Sequence, residues 1–124
     1  MLLDLTDLSS EPLQAQIVRQ IRAHILAGNL GAGADLPSIR KMASDQRISV
    51  ITVQRAYESL EREGLIHSRR WKGFFVSEFT RDRRRDLAAE KLRESVQPVI
   101  REALAEGLDK EAIQAVIGTI LREV

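Results

Sequence analysis

The chain contains no cysteine, which excludes disulfide staples, thiolate metal sites and cysteine nucleophiles. Histidine occurs only as His24 and His67, so few groups can move protons at neutral pH. Aromatic residues make up 4% of the chain, with one tryptophan, Trp71, and one tyrosine, Tyr57. No apolar run approaches the ~20 residues that span a bilayer, and no membrane association is expected. The N-terminal MLLDLTDLSS carries Asp4 and Asp7 and no base, so it does not read as a signal peptide. A cytoplasmic location is expected, compatible with the missing cysteine. An excess of one charge is also missing: 19 Lys and Arg stand against 18 Asp and Glu, a net +1. Any attraction to a polyanion must therefore come from local clustering.

What is present is an ordinary globular composition, 44% hydrophobic and 30% charged over 124 residues. That length holds one compact domain, or one small domain with a helical appendage. Residues 1–11 read as an arm, either an edge strand or an extended segment, with Leu3, Leu5 and Leu8 able to tuck inward. Residues 12–27 read as a helix. Pro12 suits its first position, and Leu13, Ile17, Ile21 and Ile25 form one stripe. Gly28 and Asn29 stop it, and Gly31–Gly33 is a loop.

Residues 36–76 read as one device. Ser38 caps a short helix over 38–45, whose inward side is Ile39, Met42 and Ala43. A tight turn follows at Gln46–Ile48. Ser49 caps a second helix that buries Val53, Ala56, Tyr57 and Leu60, has Glu61, Arg62 and Glu63 as its polar end, and stops at Gly64. Leu65–Ser68 and Phe74–Ser77 read as short strands around a basic turn, Arg70–Gly73. Helix, turn, helix and basic hairpin in this order are the layout of a winged helix-turn-helix, which places a helix in a DNA groove.

The outward residues then fall into roles. Ser49 and Thr52 hydroxyls suit phosphate or a base, Gln54 suits adenine, and Arg55 suits phosphate or guanine. Val50 and Ile51 are apolar and outward; a thymine methyl would match one of them. Ser38, Arg40 and Lys41 lie where backbone phosphate would pass. Arg69, Arg70, Lys72 and Gly73 form a tip suited to a minor groove or flanking backbone. Trp71 either packs on the hairpin or an adjacent helix, or lies against sugar or base at that tip.

After Phe79 comes a basic stretch, Thr80–Arg85, that starts a long helix; Arg81, Arg83, Arg84 and Arg85 either touch DNA backbone or solubilise the helix start. An apolar pattern resumes from Leu87, and Pro98 is expected to kink the helix or divide it in two. Gly107 ends that run, and Asp109 caps a last helix with Ile113, Ile117 and Ile120 on its apolar face. Two such faces exceed what a small tail can cover by itself, and a second copy is the simplest partner. Leu92, Val96, Val99, Ile100, Ile113, Ile117 and Ile120 are the expected interface; an intramolecular helical hairpin packed on the first domain is the alternative.

Residues 12–76, PLQAQIVRQIRAHILAGNLGAGADLPSIRKMASDQRISVITVQRAYESLEREGLIHSRRWKGFFV, resemble the GntR family of bacterial transcription regulators. The pieces LPSxR, TVQRAYxxLExEGLI and KGxFV carry the resemblance, and the short helical tail is similar to the YtrA subfamily, where such a region dimerises the protein. The resemblance implies DNA contacts from Arg40, Ser49, Thr52, Gln54 and the Lys72–Gly73 wing. Five positions depart from the family pattern. Arg47 stands where a turn glycine is usual, Val50 where an arginine is frequent, and Trp71 and Phe74 where a wing glycine and threonine are common; Asp35 replaces a frequent base.

The expected fold is thus mainly α with a small β-wing: a winged helix-turn-helix domain over 1–79 and a helical dimerisation region over 80–124. The expected function is sequence-specific transcription regulation, as a repressor, by a homodimer on a palindromic double-stranded DNA operator. A winged-helix module that binds protein instead is the alternative; Arg40, Arg55, Arg69, Arg70 and Lys72 argue against it. Catalysis is not expected, since nothing places a nucleophile beside His24 or His67, and neither a phosphate-cradling glycine loop nor a metal-ligand spacing is present. No cofactor is expected. A small-molecule effector, of unidentified chemistry, would sit between domain and tail near Tyr57 or Trp71.

Overall fold

A computed structural model of the chain describes residues 3–124. The elements run α1 (Leu13–Leu26), α2 (Ile39–Gln46), α3 (Val50–Arg62), β1 (Ile66–Arg69), β2 (Gly73–Val76), α4 (Arg81–Ala105) and α5 (Lys110–Glu123). The chain divides into two compact units, Met1–Arg81 and Asp82–Val124.

The first unit is built around α3, which packs on α1, α2 and β1. Its core is formed by Ile17, Ile21 and Ile25 of α1, Met42 and Ala43 of α2, and Val53, Ala56, Tyr57 and Leu60 of α3, all buried. These are the inward stripes read from the periodicity; Ile39 is only half-buried. Pro12 is the N-cap of α1 rather than its first helical residue, with extended ψ of 149°. Gly28 takes a positive φ of 85° just beyond the helix, where a side chain would be strained.

The arm is extended but forms no strand with another segment among the described residues. Side-chain amides take the place of a partner strand. Gln16 Oε1 accepts from Thr6 N–H at 3.0 Å, and its Nε2 donates to the carbonyls of Thr6 and Glu11, both at 2.7 Å. Gln20 repeats the device on Asp4, accepting from N–H and donating to C=O at 2.7 Å each. Glu11 also takes a forked contact from Arg19, and that hydrogen bond holds its carboxyl below the usual range. Leu3 is buried, whereas Leu8 is 93% exposed and does not tuck in as expected.

β1 and β2 pair antiparallel in the register Ile66↔Val76, His67↔Phe75, Ser68↔Phe74, Arg69↔Gly73. Each strand is shifted by one residue toward the turn relative to expectation. Strand alternation sends Ile66, Phe74 and Val76 to the helix side, where the Phe74 ring meets Tyr57 edge-on at 5.1 Å. The loop before α2 joins the far edge of β2. Asp35 bridges Phe75, Leu36 N–H donates to Phe74 C=O at 2.9 Å, and Val76 N–H donates to Ala34 C=O at 2.8 Å. This third strip was not read from the sequence, because Gly31-Ala-Gly33-Ala has no strand pattern.

In the second unit α4 is one helix of 25 residues with Pro98 inside it, so the proline does not divide it. Pro98 removes one helical N–H and crowds the carbonyl four residues before it, yet the helix runs on through it, with the proline side chain exposed. Gly107, at φ 103°, turns the chain, and the Asp109 carboxylate caps α5 by accepting from Ala112 N–H at 2.8 Å. Leu87 and Ile113 are buried, but Leu92, Val99, Val116, Ile120 and Leu121 are each about half exposed or more. Among the described residues, no helix is long and apolar enough to cross a membrane.

Candidate nucleic-acid interface

The turn between α2 and α3 sets the reading helix. Arg47 sits there in the left-handed region, φ 56° and ψ 46°. A non-glycine residue in that conformation costs on the order of 1 kcal/mol. Ile48 N–H closes the turn onto Ala43 C=O at 3.0 Å. Both helices that flank the turn start on a serine cap: Ser38 Oγ accepts from Lys41 N–H, and Ser49 Oγ from Thr52 N–H, each at 3.1 Å. The two helix starts leave further N–H groups without intrahelical partners, which favours anions there.

The first turns of α3 carry the expected readers. Val50, Ile51, Gln54 and Arg55 are exposed, and Thr52 is half-buried. Val50 and Ile51 stay 48% and 51% exposed in the folded chain, so the unit leaves about half of each open. Ser49 and Thr52 hydroxyls already bond each other at 2.7 Å. Their first role is therefore to lock the helix start. Gln54 Nε2 donates to Glu58 Oε1 at 3.2 Å, an exposed pair that a base edge can displace. Arg40 is exposed and, among the described residues, forms no ion pair, nor does Arg55; Lys41 pairs with Asp45 at 3.3 Å.

The wing presents Arg69, Arg70, Lys72 and Gly73, all exposed. Arg69 lies over the Phe75 ring with its guanidinium carbon 4.9 Å from the centroid, which keeps the charge at the hairpin surface. Lys72 N–H donates to Arg69 C=O at 2.9 Å and closes the turn. Trp71 does not pack on the hairpin or an adjacent helix; it is 91% exposed. Turn geometry explains this, because Trp71 has φ 68°, which turns its side chain out from the strand pair.

Two acids near the end of α3 position these parts; from the sequence both read only as part of the polar end of the helix. Glu61 carboxylate accepts from both N–H and Oγ of Ser68 on β1. Glu63 pairs with the nearly buried Arg22 of α1 at 3.1 Å. A signal was present: acids at a helix C-terminus oppose its dipole, so two of them in one turn point to specific partners.

Two expectations need correction here. Tyr57 is fully buried, its hydroxyl donating to Pro37 C=O at 2.7 Å, so it lines no effector site. Burial pushes that phenol above its ordinary value of 10.0. His67 does have a hydroxyl neighbour, Ser77 Oγ at 3.3 Å from Nδ1. No carboxylate is hydrogen-bonded to this imidazole among the described residues, so the pair lacks the orienting third member of a nucleophilic triad. Of the seven expected interface residues, Ile113 is buried in the single chain and the other six are exposed or half-buried. All seven line one apolar groove of about 660 Å³ between α4 and α5.

Comparison with known proteins agrees with this architecture. The family model "Bacterial regulatory proteins, gntR family" matches residues 13–76. The HTH-type transcriptional repressor YtrA of Bacillus subtilis (strain 168) is 31% identical over 116 residues, covering 94% of this chain and 89% of YtrA. A GntR family transcriptional regulator from Listeria monocytogenes superposes with TM-score 0.74 at 31% identity, over 93% of this chain and 98% of the other. YtrA from Sulfolobus acidocaldarius, a GntR-family transcription factor, gives TM-score 0.65 at 30% identity, over 83% and 97%.

Proposed function

This chain belongs to the gntR family of bacterial regulatory proteins, and from that premise we propose that it represses transcription by binding a palindromic operator as a homodimer. Members of this family are transcription regulators with a winged-helix DNA-binding domain rather than enzymes, and the chain is one of them. The observation that carries the DNA reading is the start of α3. A doubly bonded serine cap fixes a helix end on which Val50, Ile51, Gln54 and Arg55 are exposed. Such an end fits the major groove.

Contacts divide by chemistry. Gln54 and Arg55, with Val50 or Ile51 against a thymine methyl, read bases. Ser38, Arg40, Ser49 and Thr52, with Arg69, Arg70 and Lys72 of the wing and close backbone approach at Gly73, hold phosphate and sugar. One helix reads few base pairs, so two copies are needed for a specific site. Supporting the homodimer is the open apolar groove of α4 and α5, whose exposed Leu92, Val99 and Ile120 would lose contact with water against the same face of a second copy. Repression is carried over from the Bacillus subtilis relative, a transcriptional repressor, and the protein acts in the cytoplasm, where DNA is.

Selection of bound fragments from random duplex DNA tests the reading. The expected product is an inverted repeat with half-sites about one helical turn apart. Arg40→Ala should weaken binding to it by about 1–3 kcal/mol, and Gln54→Ala should chiefly relax its sequence preference. Failure to enrich any sequence, with capture of a protein partner through the wing instead, would favour the protein-binding alternative.

A further inference from the structure

The wing tip carries a residue that the folded chain gives no reason to keep. Trp71 is 91% exposed, and it occupies φ 68°, a region that glycine enters freely and tryptophan does not. An exposed indole and a strained backbone both disfavour the free protein. Its surroundings are cationic: Arg69, Arg70 and Lys72 share the turn, which contains no acid. The Arg70 guanidinium carbon lies 5.6 Å from the Trp71 ring centroid. Planar apolar surface and a planar cation thus protrude side by side.

We propose that the Arg70–Trp71 pair is a specificity determinant that enters the minor groove flanking each half-site and selects A·T over G·C there. The inference rests on the DNA-binding reading above and extends it to positions that α3 does not touch. Two physical arguments support it. A·T tracts have a narrow minor groove with enhanced negative potential, which attracts arginine. Their groove floor also lacks the guanine 2-amino group, leaving room for an apolar ring against the deoxyribose walls. A wing glycine would offer neither the ring nor the contact. The occupant is duplex DNA rather than another protein because the residues around the ring carry only positive charge.

The experiment uses the full-length protein and end-labelled duplexes obtained by selection, with flanks changed to A·T, G·C or inosine·C. Binding is followed by anisotropy of the label, and Trp71, the only tryptophan in the chain, reports its own environment by fluorescence. The wild type should prefer A·T flanks over G·C by roughly five-fold or more, the low end of the effect of one unsuitable base pair. Inosine, which lacks the 2-amino group, should restore most of the loss. Trp71 emission should shift to the blue or be quenched on A·T duplex. Trp71→Gly, which relieves the backbone and so folds, should lose most of the preference, and Trp71→Gly with Arg70→Ala should bind all three flanks alike. Binding by anisotropy with unchanged Trp71 emission, or a flank preference undiminished in Trp71→Gly, would overturn the assignment while leaving DNA binding intact. No anisotropy change on any duplex would reject the DNA reading and the assignment together.

Discussion

The Glu61 carboxylate near the end of α3 accepts two hydrogen bonds from Ser68 on β1, from N–H at 3.1 Å and from Oγ at 3.0 Å. One side chain thus joins the reading helix to the wing. Hydrogen bonds to a charged acceptor are the stronger kind, though exposure reduces their net value. Glu61→Ala should cost about 1 kcal/mol of stability and speed exchange of the Ser68 amide hydrogen. An amide that exchanges at the wild-type rate would show that the wing is held by its strand pairing alone.

Gln16 should matter more than its polarity suggests. Its amide is buried and makes three hydrogen bonds to the arm backbone. Gln16→Ala should destabilise by about 1–3 kcal/mol, as expected for a buried polar group whose partners lose their pairing. It should also open residues 3–11 to limited proteolysis. Resistance equal to the wild type would show that burial of Leu3 is sufficient.

Arg47 offers the opposite sign. Its left-handed backbone, φ 56°, should be relieved by Arg47→Gly. The gain is offset in part by the larger freedom of glycine in the unfolded chain, so a net stabilisation of a few tenths to about 1 kcal/mol is expected in denaturant titration. A loss of stability would mean that the arginine side chain makes contacts worth more than the strain.

Tyr57 predicts an alkaline limit. Its phenol is held protonated by burial, so the native state keeps the proton while the unfolded state loses it above the ordinary value of 10.0. The folded pKa lies above the unfolded one, so stability is fully present below about pH 10 and falls as pH rises further. Tyr57→Phe should lower neutral-pH stability by about 1 kcal/mol, through the unpaired Pro37 carbonyl, yet flatten the fall above pH 10. An unchanged alkaline slope would assign the fall to other groups.

The groove of α4 and α5 gives an assembly prediction. Val99→Glu and Ile120→Glu alter side chains that are 60% and 49% exposed in the single chain, so each variant should fold. Burying a carboxylate in an apolar contact is costly, and each should dissociate the dimer in sedimentation at micromolar concentration. A dimer that persists in both would place the interface elsewhere.

Periodicity made the core legible: the stripes Ile17–Ile21–Ile25 and Val53–Ala56–Tyr57–Leu60 lie where 3.6-residue spacing puts them. Caps were legible for the same local reason, since Ser38, Ser49 and Asp109 each accept the N–H three residues on. What escaped was set by partners distant in sequence. Gln16 carried no signal of its own, because its role depends on an arm folding back. Asp35 joined β2 without any strand pattern of its own. Pro98 stayed inside a continuous helix, against the break that its local chemistry favours. Trp71 was ambiguous because an indole suits both a core and a ligand, and only the turn geometry turned it outward.

The central claim, that α3 and the wing hold phosphate and bases of duplex DNA, is tested most directly by titrating affinity for the selected operator against salt. Each phosphate neutralised releases counterions, so log affinity should fall linearly with log salt, losing on the order of a thousand-fold between about 50 and 200 mM for six or more contacts. The slope should become shallower by about one for each arginine contact removed, Arg40→Ala included. Affinity indifferent to salt, or no binding at low ionic strength, would contradict the account.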